Sequence, residues 1–226
     1  MNGVFLDRAD AGRRLAARLT GYEREDPVVL GLPRGGIPVA AEIAQALNAP
    51  LDVMCVRKLG VPGHEELGMG AIAEGGSLFI DHSMVYRLGI PDAMVDAIVE
   101  RKTEELNERV ARFTRGARRP GLAGKTVILV DDGIATGGTT RAAARAVRAR
   151  EPRRLVLAVP VAAAATLDNL REEVDEIVYL LAPEDLFAVG EWYSDFRQVD
   201  DDEVLEILER TRRGRAARAA PGSDAI

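Results

Sequence analysis

Apolar residues in this chain collect in short runs, separated by longer segments where they recur every three or four positions. Val28 to Leu32, Leu51 to Arg57, Thr126 to Val130, Arg154 to Val159 and Glu176 to Leu181 are dense in Val, Ile and Leu, which predicts strands covered on both faces. Between them, Arg8 to Leu19, Ile37 to Leu47, Asp92 to Thr114 and Thr139 to Arg150 carry a helical period. Val95, Val99, Leu106, Val110 and Phe113 share one helical face, a stripe that predicts ordinary core packing. Strands alternating with helices predict an α/β fold with a mostly parallel central sheet flanked by helices.

Two stretches break the alternation. Ala71-Ile72-Ala73 and Ser77 to Ile80 flank Glu74-Gly75-Gly76, and the paired glycines predict a small β-hairpin. Near the end, Arg210-Thr211-Arg212-Arg213-Gly214-Arg215 leads into Ala, Arg, Pro and Gly, so residues 210–226 are expected to form a disordered tail.

Composition narrows the function classes. With 226 residues, 47% of them hydrophobic, the chain can bury one substantial core. A formal net charge of -6 leaves no cationic excess for gripping nucleic acid. No apolar run approaches the roughly 18 to 20 residues of a membrane span, so a soluble, cytoplasmic protein is expected. The single cysteine, Cys55, permits no internal disulfide, fits a reducing compartment and reads as a small buried hydrophobe. His64 and His82 lack the neighbours a metal site needs and read as exposed loop residues.

The chemistry concentrates after one strand. Val127 to Val130 runs into Asp131-Asp132, then Gly133-Ile134-Ala135-Thr136-Gly137-Gly138-Thr139-Thr140, and then a helix. A helix start offers unpaired N–H groups, Gly137 and Gly138 permit close backbone approach, and the threonines add hydroxyl donors, which together make a phosphate cradle. Two carboxylates beside it would accept hydrogen bonds from a diol, so a ribose 5-phosphate suits the loop. No G-x-G-x-x-G occurs, and Gly121 to Thr126 lacks the P-loop spacing and precedes its strand.

This order of strand, two acidic residues, spacer and Thr-Gly-Gly-Thr resembles the signature of the type I phosphoribosyltransferase family, unbroken from Val127 to Thr140. The resemblance implies that fold, with a small hairpin or lid and a C-terminal hood, in a core of residues 1–182 that includes a lid region 57–80, followed by a hood-like segment 183–209. It implies that Asp131 and Asp132 hold the 2- and 3-hydroxyls of 5-phosphoribosyl 1-diphosphate while Ala135 to Thr140 wrap its 5-phosphate, with Gly133 and Ile134 in the same substrate-binding stretch. Pro33, Arg34, Gly35 and Gly36 match the diphosphate loop, with a strained or cis peptide expected near Arg34-Gly35. Arg57 and Lys58 resemble the cations of a mobile lid, and Lys58 is one of only three lysines in an arginine-rich chain. Trp192, Tyr193 and Phe196 are the candidate base-binding hood, with core packing as the competing reading. Mg²⁺ is expected, held mainly by the substrate, with Asp131 or Asp132 as its protein ligand. A homodimer is the family habit.

The implied reaction transfers ribose 5-phosphate to a nitrogenous base. Arg34, Arg57 and Lys58 would stabilise the departing diphosphate, and Asp132 would hold the sugar. Family members acting on 6-oxopurines carry an aspartate where this chain has Ala135, which leaves Glu65 or Glu66 as the nearest proton carriers. Two alternatives remain open: a regulatory module that binds the sugar diphosphate without catalysis, and a hydrolase or phosphorylase of ribosyl phosphates.

Overall fold

The computed structural model of the chain describes residues 4–115 and 117–219, apart from the side chains of Glu66 and Ala219. In chain order the elements are α1 (Arg8–Leu19), β1 (Val28–Gly31), α2 (Gly36–Ala46), β2 (Leu51–Val53), β3 (Val56–Val61), β4 (His64–Ala73), β5 (Leu78–Ile80) and α3 (His82–Arg87). Then come α4 (Asp92–Thr114), β6 (Thr126–Val130), α5 (Gly138–Arg148), β7 (Arg154–Val161), α6 (Ala164–Leu170), β8 (Glu176–Leu181) and α7 (Asp201–Ala219). Among the described residues no helix is long and apolar enough to cross a membrane.

Five strands form one parallel sheet in the order β2-β1-β6-β7-β8. Strand alternation divides its side chains between two cores. Val29, Ile128, Val130 and Val156 face α1, α2 and α7, whereas Val28, Leu30, Leu129 and Leu157 face α5 and α6. From β1 the chain steps outward to β2 and later returns to β6 on the other side of β1. The carboxyl ends of β1 and β6 therefore flank a topological switch point, where open α/β sheets bind ligands. Their register is level, with Gly31 opposite Val130.

The expected strand from Leu51 to Arg57 is two strands in different sheets. Met54 N–H still donates to the Gly31 carbonyl at 3.0 Å, but Glu74 N–H donates to the Cys55 carbonyl at 3.0 Å and Cys55 N–H to the Glu74 carboxylate at 3.3 Å. These bonds divert the chain at Cys55 into an antiparallel sheet β3-β4-β5. Cys55 is buried as expected, and burial, followed by the nearby Glu74 charge, pushes its thiol up to about 12. Glu74 itself is buried, and Arg119 and Arg150 each reach its Oε1 at 2.8 Å.

The expected hairpin is present as β4 and β5, with Ala71 opposite Phe79 and both Gly75 and Gly76 at positive φ in the turn. Within the expected lid region 57–80, β3 and β4 form a hairpin that turns at Pro62-Gly63, with a register irregularity around Gly60.

The tail expected to be disordered from residue 210 is helical through Ala219, because α7 has partners beyond its own sequence. Arg215 and Arg218 donate to the carbonyl and side-chain oxygens of Asn48, both at 3.2 Å, and Val204 and Leu208 are buried against the main core. Residues 220–226 of that expected tail lie outside the described residues. Residue 209, the expected end of the hood segment, falls inside α7.

Candidate functional site

The two loops that follow β1 and β6 touch. A Cβ built on Gly35 would collide with Asp132 Oδ2, and one on Gly36 would lie 2.7 Å from the Val130 carbonyl and 3.0 Å from Asp131 Cα. Only glycine allows this approach, so Pro33-Arg34-Gly35-Gly36 and Asp131-Asp132 form one wall. The cis peptide lies between Pro33 and Arg34, one residue before the expected position.

The loop from Gly133 to Gly137 is fastened from behind. Ile134 is buried, donates to the Val161 carbonyl at 3.0 Å and accepts from Ala163 N–H at 3.1 Å. The Thr166 hydroxyl donates to the Ala135 carbonyl at 2.5 Å. Gly137 caps α5 at φ 76°, a conformation that favours glycine, and a side chain there would meet Thr166. Thr136 stays exposed and Thr140 is buried in the first turn of α5. The result is a hydrogen-bonded loop leading into the amino terminus of an eleven-residue helix, where backbone N–H groups are unpaired within the helix.

The acidic pair is not symmetric. Asp131 accepts the Asp132 N–H at 2.9 Å, and burial, then the neighbouring Asp132 charge, holds its carboxyl well above the usual carboxylate range. Asp132 instead pairs with Arg8, whose Nε lies 2.7 Å from Oδ2. Arg8 also donates to the Arg197 carbonyl at 2.8 Å and lies 3.9 Å over the Phe196 ring. This arginine is buried in the first turn of α1 and was absent from the sequence-based candidates. A signal existed: Arg8 shares the buried face of α1 with Ala11, Gly12, Leu15 and Leu19, an odd place for a charge without a partner.

The expected hood aromatics divide. Tyr193 is buried between the rings of Phe5 and Phe196, with centroids 5.3 and 5.0 Å away, and its hydroxyl donates to the Asp132 carbonyl at 2.5 Å. Burial raises that phenol beyond its ordinary range. With its ring packed against Phe5 and Phe196 and its hydroxyl engaged, Tyr193 is tied to the acidic loop. Trp192 is half-buried and, like Leu186 and Val189, packs against the cluster of Phe5, Ala11, Val161 and Tyr193, and Phe196 is exposed with Arg8 across one face. Trp192 and Phe196 are not a helical turn apart, since a 3₁₀ turn at Val189–Trp192 gives way to extended chain.

The lid candidates separate as well. Arg57 and Lys58 are consecutive on β3 and so point to opposite faces. Lys58 is exposed, while the half-buried Arg57 stands within electrostatic reach of Glu105 and Arg109 on α4. Glu65 is exposed, with its carboxylate 3.9 Å from Arg101 on α4. Arg34 lies 3.9 Å from Asp201, the first residue of α7. Glu65 thus sits in a solvated ion pair on the hairpin, and the side chain of Glu66, the other expected proton carrier, lies outside the described residues.

Magnesium can be weighed against these donors. Asp131 and Asp132 supply hard carboxylate oxygens at a strand end, a fit for Mg²⁺ sharing its shell with substrate oxygens. Among the described residues no group of three or more His, Cys, Asp or Glu could hold a metal.

Comparison with known proteins agrees with the geometry. The family model described as a phosphoribosyl transferase domain matches residues 5–193. Two relatives from Mycobacterium tuberculosis strains, each provisionally named a phosphoribosyl transferase, are 46% identical over 210 residues, which cover 93% of this chain and 47% of theirs. The chain thus spans about half the length of those curated relatives. The solved TT1426 protein of Thermus thermophilus is 42% identical with a TM-score of 0.77, covering 91% of this chain and 98% of its own. The AQ2163 protein of Aquifex aeolicus shares the fold at a TM-score of 0.52 and 16% identity, covering 83% and 85%.

Proposed function

Because this chain belongs to the phosphoribosyl transferase domain family, we propose that it transfers ribose 5-phosphate from 5-phosphoribosyl 1-diphosphate to a nitrogenous base, in nucleotide salvage. The observation that carries the reading is the contact of Gly35 with Asp132, which merges a diphosphate loop and a ribose 5-phosphate loop into one site.

In this reading residues 133–140 cradle the 5-phosphate, with the α5 amino terminus supplying N–H donors. Asp132 accepts from one ribose hydroxyl. Asp131, biased toward its acid form, can donate to or accept from the other. A nitrogen of the base attacks C1 as the bond from C1 to the diphosphate oxygen breaks, and the nitrogen's proton leaves to solvent or a nearby acceptor. Backbone amides of Pro33–Gly36 and the Arg34 guanidinium receive the departing charge. Bound Mg²⁺, held by Asp131 or Asp132 and substrate oxygens, would neutralise diphosphate charge. Ala135 supplies no carboxylate for a purine proton, so the acceptor is defined here only as a nitrogenous base. The setting proposed is the cytoplasm, where these charged substrates are retained, and the assembly proposed is a homodimer, to be checked by solution molar mass.

The test is release of diphosphate from the sugar donor with Mg²⁺ across a panel of bases, with the nucleotide product identified by mass. Turnover with one base supports the proposal. Tight donor binding without turnover on any base replaces it with a regulatory module, and ribose 5-phosphate released without a base replaces it with a hydrolase.

A further inference from the structure

Asp201 begins α7 and sits among arginines from two other elements. Its carboxylate lies 2.9 Å from Arg112 Nη1, 3.4 Å from Arg109 Nη2 and 3.9 Å from Arg34 Nη1. Arg109 and Arg112 are one turn apart on α4, whereas Arg34 belongs to the loop after β1. Arg57 adds a fourth guanidinium near Arg109.

Two features mark this group as more than a structural ion pair. The Nε atoms of Arg57 and Arg109 are both buried without a hydrogen-bond partner, although buried donors nearly always find one. The cations also outnumber the acids: Asp201 is shared three ways, Asp202 adds one exposed contact, 3.1 Å from Arg112, and Glu105 near Arg57 is already held by Lys102 at 2.9 Å. Burial, and then the charge of Arg57, lowers the Arg109 pKa, while Asp201 acts in the opposite sense. Such a cluster is stabilised by a multivalent anion with several oxygens to share.

We propose that Arg109 and Arg112 of α4 complete, with Arg34, the diphosphate site, and that Asp201 is a built-in occupant of that site which the incoming diphosphate displaces. The inference rests on the diphosphate role assigned above to Pro33–Gly36. Asp201 loses little on displacement, because it sits in the first turn of α7, where the helix favours a carboxylate. The start of α7 thereby acts as an intramolecular competitor that lowers affinity for the free leaving group and for the donor alike.

The experiment titrates inorganic diphosphate with Mg²⁺ into the full chain at fixed ionic strength by calorimetry. Asp201→Asn should bind diphosphate about tenfold more tightly than the unaltered chain, and Arg109→Gln about tenfold more weakly. Asp201→Ser, which leaves Asp200 to cap the helix by accepting from Glu203 N–H at 2.8 Å, should tighten binding in the same sense and guards against a folding artefact in the first variant. If both Asp201 variants, folded by circular dichroism, bind no more tightly than the unaltered chain, the competitor role is overturned. If Arg34→Gln abolishes binding while Arg109→Gln does not change it, the α4 contribution is overturned and the loop reading stands. Diphosphate binding that ignores Arg34→Gln overturns the loop reading and this inference with it.

Discussion

Arg8 and Asp132, 124 positions apart in sequence, form a nearly buried ion pair at 2.7 Å. The pair joins the first helix to the carboxylate proposed to hold the sugar. It also explains how two adjacent acids persist at a strand end, since Asp131 repels Asp132 and Arg8 offsets that repulsion.

Arg8→Gln should therefore leave Asp132 uncompensated beside Asp131. We expect a loss of about 3 kcal/mol in folding stability, as for other buried pairs broken on one side. Thermal denaturation checks this, and Arg8→Lys should recover part of the loss. A Tm unchanged in Arg8→Gln would contradict the pairing.

Gly35→Ala places a methyl group on Asp132 Oδ2, so the two loops must part. Overpacking of this kind costs about 1–3 kcal/mol, and donor binding should weaken at least tenfold because the shared wall is displaced. Binding of the sugar diphosphate by calorimetry reads the effect, and affinity equal to that of the unaltered chain would show that the contact is incidental.

Tyr193→Phe keeps the packing on Phe5 and Phe196 but removes the hydroxyl that donates to the Asp132 carbonyl. The expected cost is about 1–2 kcal/mol of stability, with the ranking of acceptor bases unchanged. A changed ranking with intact Tm would return Tyr193 to the base site.

Asp131 has a carboxyl raised by burial and by Asp132, so folding favours its protonated form. The contribution of that group is most favourable below the ordinary carboxylate pKa of about 4 and is lost as pH rises through the higher folded value. Asp131→Asn, permanently neutral, should thus gain Tm over the unaltered chain at neutral pH, and the gain should shrink toward pH ~4. A difference that stays constant with pH would refute the assignment.

Glu65→Gln should leave kcat within about twofold, because an exposed pair with Arg101 contributes little. A loss of tenfold or more, with an altered pH profile, would restore Glu65 as a proton carrier.

Much of the scaffold could be read from periodicity alone. The bounds of α1, α4, β6 and β8 match the expected segments, because each is delimited by a sharp change from apolar to polar residues or by a capping group such as Asp7, which accepts from Asp10 N–H at 2.7 Å. The loop between β6 and α5 was legible because strand, acids, glycines and helix are contiguous. What escaped depends on partners distant in sequence. The break at Cys55 is set by Glu74, the persistence of α7 by Asn48, and the burial of Arg8 by Asp132 and Arg197. Arg8 also stands in a helix with three other arginines, Arg13, Arg14 and Arg18, and only its position on the apolar face sets it apart. The separation of Arg57 from Lys58 follows from both lying on β3, where consecutive side chains alternate faces.

The early chain is stitched to the site it precedes. Phe5 N–H donates to the Trp192 carbonyl at 3.0 Å, Ser194 N–H donates back to the Phe5 carbonyl at 2.8 Å, and Arg8 follows three residues later. Anything fused ahead of this stretch during purification would be tethered within a few residues of the acidic pair. Kinetic constants for this chain should accordingly be compared only between preparations whose affinity handle has been cleaved or moved beyond the far end of α7.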